Sequence, residues 1–375
     1  MRSIALLLLF SAFAACDATV PAGNGPIGSG GEVDASGSVD AAIPAEADAD
    51  SMHDASATLD LFTHDLAPPL DLSVLDLQAA ATPDLAASHD LAASHDAAPG
   101  DAGPHLPPAT SCASLPKNCG SSGAEDCCAT LWVPGGTFKR SYDAVTYTDP
   151  SAVATVSGFY LDRFEVTTDR WNQFYNSYPS SKPKPGDGAH PLIPNSGWQA
   201  AWNVDLPLDL QELASTVGSG GYSRYPKAGL SWALSFAFCA WDGGRLPTEA
   251  EWNFAAAGGD QQRVYPWSSP PTSATTNPTL INLTAADPVG THPAGDGRWG
   301  HADLAGSVGE FVLDVYQNSY PLPCVNCTVL GYNYHSFRGS FCYGMPSICI
   351  VAQRAYEMGA PYPANVGVRC ARDAR

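Results

Sequence analysis

The chain has 375 residues, a formal net charge of −20 and 45% apolar side chains, which allows one to three domains. The acidity is uneven: residues 17–110 hold sixteen Asp or Glu and no Lys or Arg, whereas residues 111–375 hold 22 acids against 17 bases. No basic stripe is available to neutralise phosphates, so nucleic acid is excluded as a partner.

In chain order, Met1-Arg2, the apolar run from Ile4 to Phe13, and Ala14-Ala15-Cys16 form an export signal too short to span a bilayer stably. The small residues before Cys16 resemble a bacterial lipoprotein cleavage site. Lipidated Cys16 would then hold the protein at the cell envelope, extracytoplasmic, with membrane contact through the anchor only. Ordinary cleavage near Ala15 is the alternative. Residues 17–110 are rich in Ala, Asp, Pro, Gly and Ser, and the sequence of 84–90 recurs over 90–96. Low hydrophobicity with one sign of charge cannot offset the entropy of ordering, so this stretch is expected to be a disordered tether. Its r.m.s. span would be roughly 50–60 Å. His53, His64, His89 and His95 read as solvated tether residues, not metal ligands.

Of eleven Cys, ten remain once Cys16 is set aside, an even number in an exported chain, which favours disulfides. Cys112, Cys119, Cys127 and Cys128 mark a stapled cap over residues 111–130. Cys324 and Cys327 read as a loop staple, since a redox or zinc half-site lacks its usual context. None of the nine Trp precedes Trp132. Because aromatics supply the large buried areas of a core, the folded domain is expected from Leu131 to Arg372.

Within it, Phe159 to Thr167 reads as a strand. Thr168 can cap a helix bearing Trp171, Phe174 and Tyr175, and Gly- and Pro-rich loops fill 179–230. Ser231 can cap a helix from Trp232 to Trp241, ended by Gly243-Gly244. Thr248-Glu249-Ala250-Glu251 is a capping box that opens a third helix. Short strands and long loops follow, giving an α+β fold class. No P-loop, G-x-G-x-x-G or G-x-S-x-G occurs, so nucleotide binding and serine hydrolysis have no support.

One ordered set of motifs carries a resemblance. Val133-Pro134-Gly135-Gly136-Thr137-Phe138 and the run from Phe159 to Thr167 come first, then Ser231-Trp232 and Gly243-Gly244-Arg245-Leu246-Pro247-Thr248-Glu249-Ala250-Glu251-Trp252. Tyr265-Pro266-Trp267, the run from Asp303 to Phe311, Arg338-Gly339-Ser340-Phe341, Gln353-Arg354 and Gly367-Val368-Arg369-Cys370 complete it. Together they resemble the formylglycine-generating enzyme (sulfatase-modifying factor) family. The resemblance implies a compact, loop-rich fold related to C-type lectins. It further implies oxidation of a sulfatase cysteine to formylglycine by oxygen and a copper ion on two thiolates, soft ligands suited to Cu(I). Cys342 sits near the first thiolate position. Cys349 lies at x6 instead of the family's x4, and a Cys342–Cys349 disulfide is the alternative. Ser340 and Arg354 match active-site positions, and Gly309 stands where the family has an aromatic residue. The resemblance also implies a Cys239–Cys370 disulfide and structural Ca²⁺ held by Asp303, Gly306, Val308 and Glu310. A second cation site is matched only by Asn282. His190, His292, His301 and His335 do not fit the H-x3-H-x-E iron site of a related branch and are expected on loops or at the surface.

Two functions follow. One is a copper- and oxygen-dependent oxidoreductase acting on an exported sulfatase or other protein or peptide. The other is a catalytically inactive binding module whose loops 179–230 and 268–300 take a peptide or glycan. In that reading Trp198, Trp202, Tyr222 and Tyr225 form a contact surface of low entropic cost.

Overall fold

A computed structural model describes residues 106, 109–219, 221–277, 286–331, 334–339, 342, 345–357 and 363–373. The signal with Cys16, the tether apart from residues 106, 109 and 110, Asn282 and Ser340 lie outside these residues; at the tether's expected end Ala109 is buried and Thr110 opens a 3-10 turn, Thr110–Cys112.

Among the described residues, three small sheets frame the domain. In the first, β4 (Phe159–Asp162) lies between β1 (Thr130–Val133) and β10 (Ala371–Arg372), antiparallel to both, so the last strand closes on one of the earliest. The second is β2 (Gly136–Lys139), β3 (Val153–Val156) and β6 (Cys324–Val325). The third has the order β8-β7-β5-β9, with β5 at Gly309–Val315, β7 at His335–Arg338, β8 at Ala355–Tyr356 and β9 at Val366–Gly367. The mixture of these sheets with the four α-helices found among the described residues makes the fold α+β.

The helices form where their caps satisfy the free N–H groups of the first turn. Helix α1 (Thr168–Asn176) is capped by Thr167, one residue before the expected Thr168, with Arg170 N donating to its Oγ1. Thr167 is free for this because the regular strand stops at Asp162 instead of reaching Thr167. Ser231 caps α3 (Trp232–Trp241), and Thr248 with Glu251 closes a capping box on α4 (Glu249–Ala256). Eight of the ten residues of α3 are buried, which explains why the helix has no polar face. Gly243, at φ +81°, ends the turn after it. A Cβ on Gly244 would lie 2.6 Å from the Ala371 carbonyl oxygen, so glycine there lets β10 approach.

The 179–230 stretch is more ordered than its Gly and Pro content implies. It contains α2 (Leu210–Thr216), whose N-cap Asp209 accepts from Glu212 N, and a 3-10 turn at Ala200–Asp205. Trp198 and Trp202 correct the expected contact surface, because both are buried in the main core. Trp202 meets Trp232 edge-on at 5.1 Å, and Trp198 packs on Phe236 at 5.4 Å. Large aromatic area is more favourably placed against the apolar α3 than in water. Tyr222 is the exposed one, at 77%, and Tyr225 is half-buried.

Five disulfides join the ten described cysteines: Cys112–Cys128, Cys119–Cys127, Cys239–Cys370, Cys324–Cys327 and Cys342–Cys349. The stapled cap docks on the domain. Cys119 and Cys127 pack with Phe164, Val289 and Ala302. Ser111 inserts into a fully buried ion network, its N–H donating to Asp242 (2.7 Å) and its hydroxyl accepting from Arg170 Nε (3.0 Å). Arg170 bridges Asp162 and Asp242 at 2.8 and 2.6 Å, and Arg372 binds the same two carboxylates. Removing one member would strand a buried charge, so the network enforces this arrangement of β4, α1, α3 and β10.

Candidate functional site

The capping box on α4 orients the first helical residue, Glu249, toward two guanidinium groups. Arg354 donates to both its oxygens (2.8 and 3.2 Å), and Arg338 lies 3.1 Å from Oε1. Asp314 sits beneath, accepting N–H bonds from Glu249 (2.7 Å) and Val329 (3.0 Å). Its burial, and then the charge of Glu249, push its pKa up to about 7, while those N–H bonds pull the other way. Glu249 is held below the usual carboxylate range because Arg338 and Arg354 outweigh the cost of its burial.

Above this floor opens a cleft of about 480 Å³, lined among others by Arg140, Tyr147, Tyr316, Tyr320, Gln353 and Arg354. Arg140 and Arg354 both stack on the Tyr320 ring, at 4.1 and 4.0 Å from its centroid. Two guanidinium groups that close must occupy opposite faces of the ring. Arg354 also covers Tyr316 at 4.5 Å, and Tyr316 packs on Tyr356. The Tyr320 hydroxyl is 2.6 Å from Arg338 Nη2 and 2.7 Å from Ser141 Oγ. The loop bearing Tyr147 is pinned by Asp143, whose Oδ1 accepts the N–H groups of Val145, Thr146 and Tyr147. Tyr147 then hydrogen-bonds Gln353 across the cleft.

Cys342 and Cys349 lie in the hydrophobic cluster behind this wall, against which Tyr147 also packs. They are 1% and 2% exposed and joined to each other. Both sulfurs are thus spent in one bond, and a disulfide is not the thiolate pair that Cu(I) requires. The residues in this state do not fit a copper site. Arg354 is at the cleft, as its motif implies, but its guanidinium is engaged by Glu249.

The cation positions cluster elsewhere. Asp303 (φ +59°) is buried, and its Oδ2 accepts from Gly290 N at 2.6 Å. Glu310 receives a fork of two bonds from Arg369, at 2.7 Å each, and a third from Trp252 Nε1. Val308 N donates to Glu165 Oε1 (3.1 Å), and Glu165 Oε2 has no hydrogen-bond partner. Burial, and then the charges of Asp303 and Glu310, raise the Glu165 pKa well above the ordinary carboxylate value. Among the described residues no group of three or more His, Cys, Asp or Glu side chains is disposed to hold a metal. The implied set needs only two carboxylates, completed by the carbonyls of Gly306 and Val308. Three buried acids facing one arginine carry the excess negative charge that a hard, oxygen-seeking cation offsets. All four implied ligands offer oxygen, the donor type that Ca²⁺ takes, although both Glu310 oxygens already accept from Arg369 and Trp252.

Of the four histidines expected on loops or at the surface, His190, His292 and His301 lie on loops and His335 on β7, but His190, His301 and His335 are buried. His190 is buried 3.2 Å from Glu251, and His335 stacks on Trp232 at 3.8 Å. His301 is fully buried, with its pKa lowered to about 3 by burial and then by Arg369. Each occupies an apolar or already charged niche between elements remote in sequence, which spacing alone does not reveal. Arg140, Asp314 and Tyr320 were not singled out from the sequence. Arg140 and Tyr320 are 180 positions apart, and no local signal links them.

With this geometry in place, comparison with known proteins is decisive for the family. Residues 117–374 match the family described as Sulfatase-modifying factor enzyme 1-like domain. The chain belongs to this sulfatase-modifying factor family. It is 31% identical over 222 residues to Inactive C-alpha-formylglycine-generating enzyme 2 of Mus musculus, covering 50% of this chain and 70% of that one. It is 30% identical over 161 residues to Formylglycine-generating enzyme of the same species, covering 36% of this chain and 42% of that one. PvdO from Pseudomonas aeruginosa aligns at a TM-score of 0.47 and 19% identity, over 70% of this chain and all of that one. The family match begins at residue 117, inside the stapled cap, in keeping with the docking of that cap on the sulfatase-modifying factor domain.

Proposed function

We propose that the domain is an extracytoplasmic binding module on the sulfatase-modifying factor fold, and not a cysteine-oxidising enzyme. The observation that carries this reading is the Cys342–Cys349 bond, which consumes both sulfurs of the candidate copper pair. Gly309 before Glu310, where the family has an aromatic residue, points the same way. The cleft over Glu249, Arg338 and Arg354 is the proposed binding site, for a peptide or glycan encountered outside the cell. Five disulfides suit an oxidising compartment. We further propose that Cys16 carries the lipid anchor, and that Asp303, Gly306, Val308 and Glu310 hold structural Ca²⁺.

Thiol titration of the native mature protein under denaturing, non-reducing conditions tests the reading. The expected result is no reactive thiol and no stoichiometric Cu(I). Two thiols mapping to Cys342 and Cys349, with one copper bound, would overturn it. The domain would then be a copper- and oxygen-dependent formylglycine-generating oxidoreductase acting on an exported sulfatase or similar peptide.

A further inference from the structure

Among the described residues six arginines are buried: Arg140, Arg170, Arg245, Arg338, Arg369 and Arg372. Five of them lie within 3.1 Å of a carboxylate oxygen. Arg140, at 4% exposure, has no such partner. Its Nη2 donates to the Pro321 carbonyl at 2.8 Å, its Nη1 lies 3.6 Å from Cys327 Sγ, and its Nε is buried without a partner. The remaining residues between 109 and 373 conceal no counter-ion, because residues 220, 278–285, 332–333, 340–341, 343–344 and 358–362 include no Asp or Glu.

A guanidinium removed from water without a carboxylate in contact is unfavourable unless something else compensates it. The Tyr320 face and, without direct contact, the charges of Glu249 and Asp314 supply part of that compensation. Burial lowers the Arg140 pKa from its usual value, as expected of a cation whose solvation is incompletely replaced, though an arginine stays protonated. Arg140 also lines the 480 Å³ cleft. Asp149 is the one carboxylate in the lining, and it is exposed at the rim, where it accepts the Ser151 N–H at 3.0 Å. Glu249 beneath is already bound by Arg338 and Arg354. The charge facing the cleft is therefore positive, and it is surrounded by donors that include the hydroxyls of Ser141 and Ser151 and the amide of Asn318.

We propose that Arg140 is the anchor of an anion-recognition site, and that this cleft takes a ligand through an oxyanion group of the carboxylate, sulfate or phosphate type. The inference rests on the binding-module reading for its purpose and names the ligand chemistry of that same cleft. The oxyanion lies in the place that a carboxylate fills for each of the other buried arginines. The planar fork of Arg140 supplies direction as well as charge.

Thermal melting of the full mature chain, in sodium sulfate, phosphate or acetate against sodium chloride at matched ionic strength, tests this. At ten times the dissociation constant, the favoured anion should raise Tm by about 2–6 °C over chloride. The anion that acts identifies the class. Arg140→Met should abolish the rise while the five disulfides and the circular dichroism spectrum are retained. If Arg140→Met does not fold, Arg140→Lys decides, because it keeps the charge and loses the fork; about tenfold weaker anion binding is expected. No anion-specific rise in the wild type overturns the proposal, as does an unchanged rise in Arg140→Met or unchanged affinity in Arg140→Lys. The binding-module reading fails separately, through the thiol count: an anion response with two free thiols would leave this site standing on an enzyme.

Discussion

Replacing Cys239 and Cys370 together by Ala cuts the bond between α3 and the strand that closes the first sheet. The two Cα atoms are 5.4 Å apart and 131 positions apart in sequence. In the chain-entropy account, ΔS is about −2.1 − 1.5R ln n, which for this loop is about 5 kcal/mol at 25 °C. Two bridges inside the loop, spanning 3 and 7 positions, shorten its path by less than a tenth and barely change a logarithm. The folded state should lose little. The main-chain pairing of Arg245 with Ala371 holds the same two segments together, as does the grip of Arg372 on Asp162 and Asp242. Alanine is the right substitute because both sulfurs are fully buried and a serine hydroxyl there would lack a partner. Urea unfolding of the double variant, with the other four bridges intact, should give a loss of about 3–5 kcal/mol and a larger m, because the freed chain exposes more surface. In Tm the loss is about 6–20 °C. A loss under about 1 kcal/mol with m unchanged would refute the loop-closure reasoning, since it would mean that the unfolded chain was never freed.

Three further outcomes are expected. Cys16→Ser should move the protein from the detergent phase to the aqueous phase, because each buried lipid methylene contributes about 0.8 kcal/mol to membrane binding; wild-type protein found wholly in the medium would count against the anchor. Chelating calcium should lower stability by about 1–3 kcal/mol, or about 2–10 °C in Tm, for a site of ordinary extracellular affinity, and an unchanged melting curve would exclude the site. Asp314 is protonated more readily in the folded state, at about 7 against 3.8, so its contribution falls as pH rises through that window and is flat above it. Asp314→Asn should therefore gain up to about 3 kcal/mol relative to wild type between pH 5 and pH 8; urea midpoints whose difference does not vary with pH would sink this account.

What was legible in the sequence was local. Ser231, Thr248 and Glu251 announce their helices because a cap and its N–H partner lie three residues apart, and all three act as read. The single-residue error at Thr167 arises because Thr167 and Thr168 are both competent caps; the end of β4 at Asp162 leaves the choice to Thr167. Trp198 and Trp202 were misread for a different reason. A Gly- and Pro-rich flank describes the backbone around them but not which apolar surface their rings meet, and α3 lies 30 or more positions away. The buried histidines and Arg140 share that difficulty. Arg140 reads as an ordinary residue after a strand, and only Tyr320 and Pro321 folding over it make it a buried cation.

The same contrast explains why the family is plain while the activity is not. The run from Gly243 to Trp252, which carries the family resemblance most specifically, is almost wholly committed to architecture. Gly244 admits β10, Arg245 forks onto Glu251 at 2.7 Å, Thr248 and Glu251 close the helix cap, and Trp252 donates to Glu310. Loss of any of these would disturb the fold whether or not the domain performs chemistry, so their presence says nothing about catalysis. Glu249 is the exception, because it leaves the motif to organise Arg338 and Arg354 under the cleft. The residues that decide what the cleft does lie outside that run and were assembled from remote segments. They are the joined pair Cys342 and Cys349 behind the wall, the engaged Arg354 on the floor, and the unpaired Arg140 on the opposite face of Tyr320. A scaffold of this kind can keep a cleft's shape while a few side chains set its chemistry, and here those side chains include a sulfur pair joined in one bond and a buried positive charge.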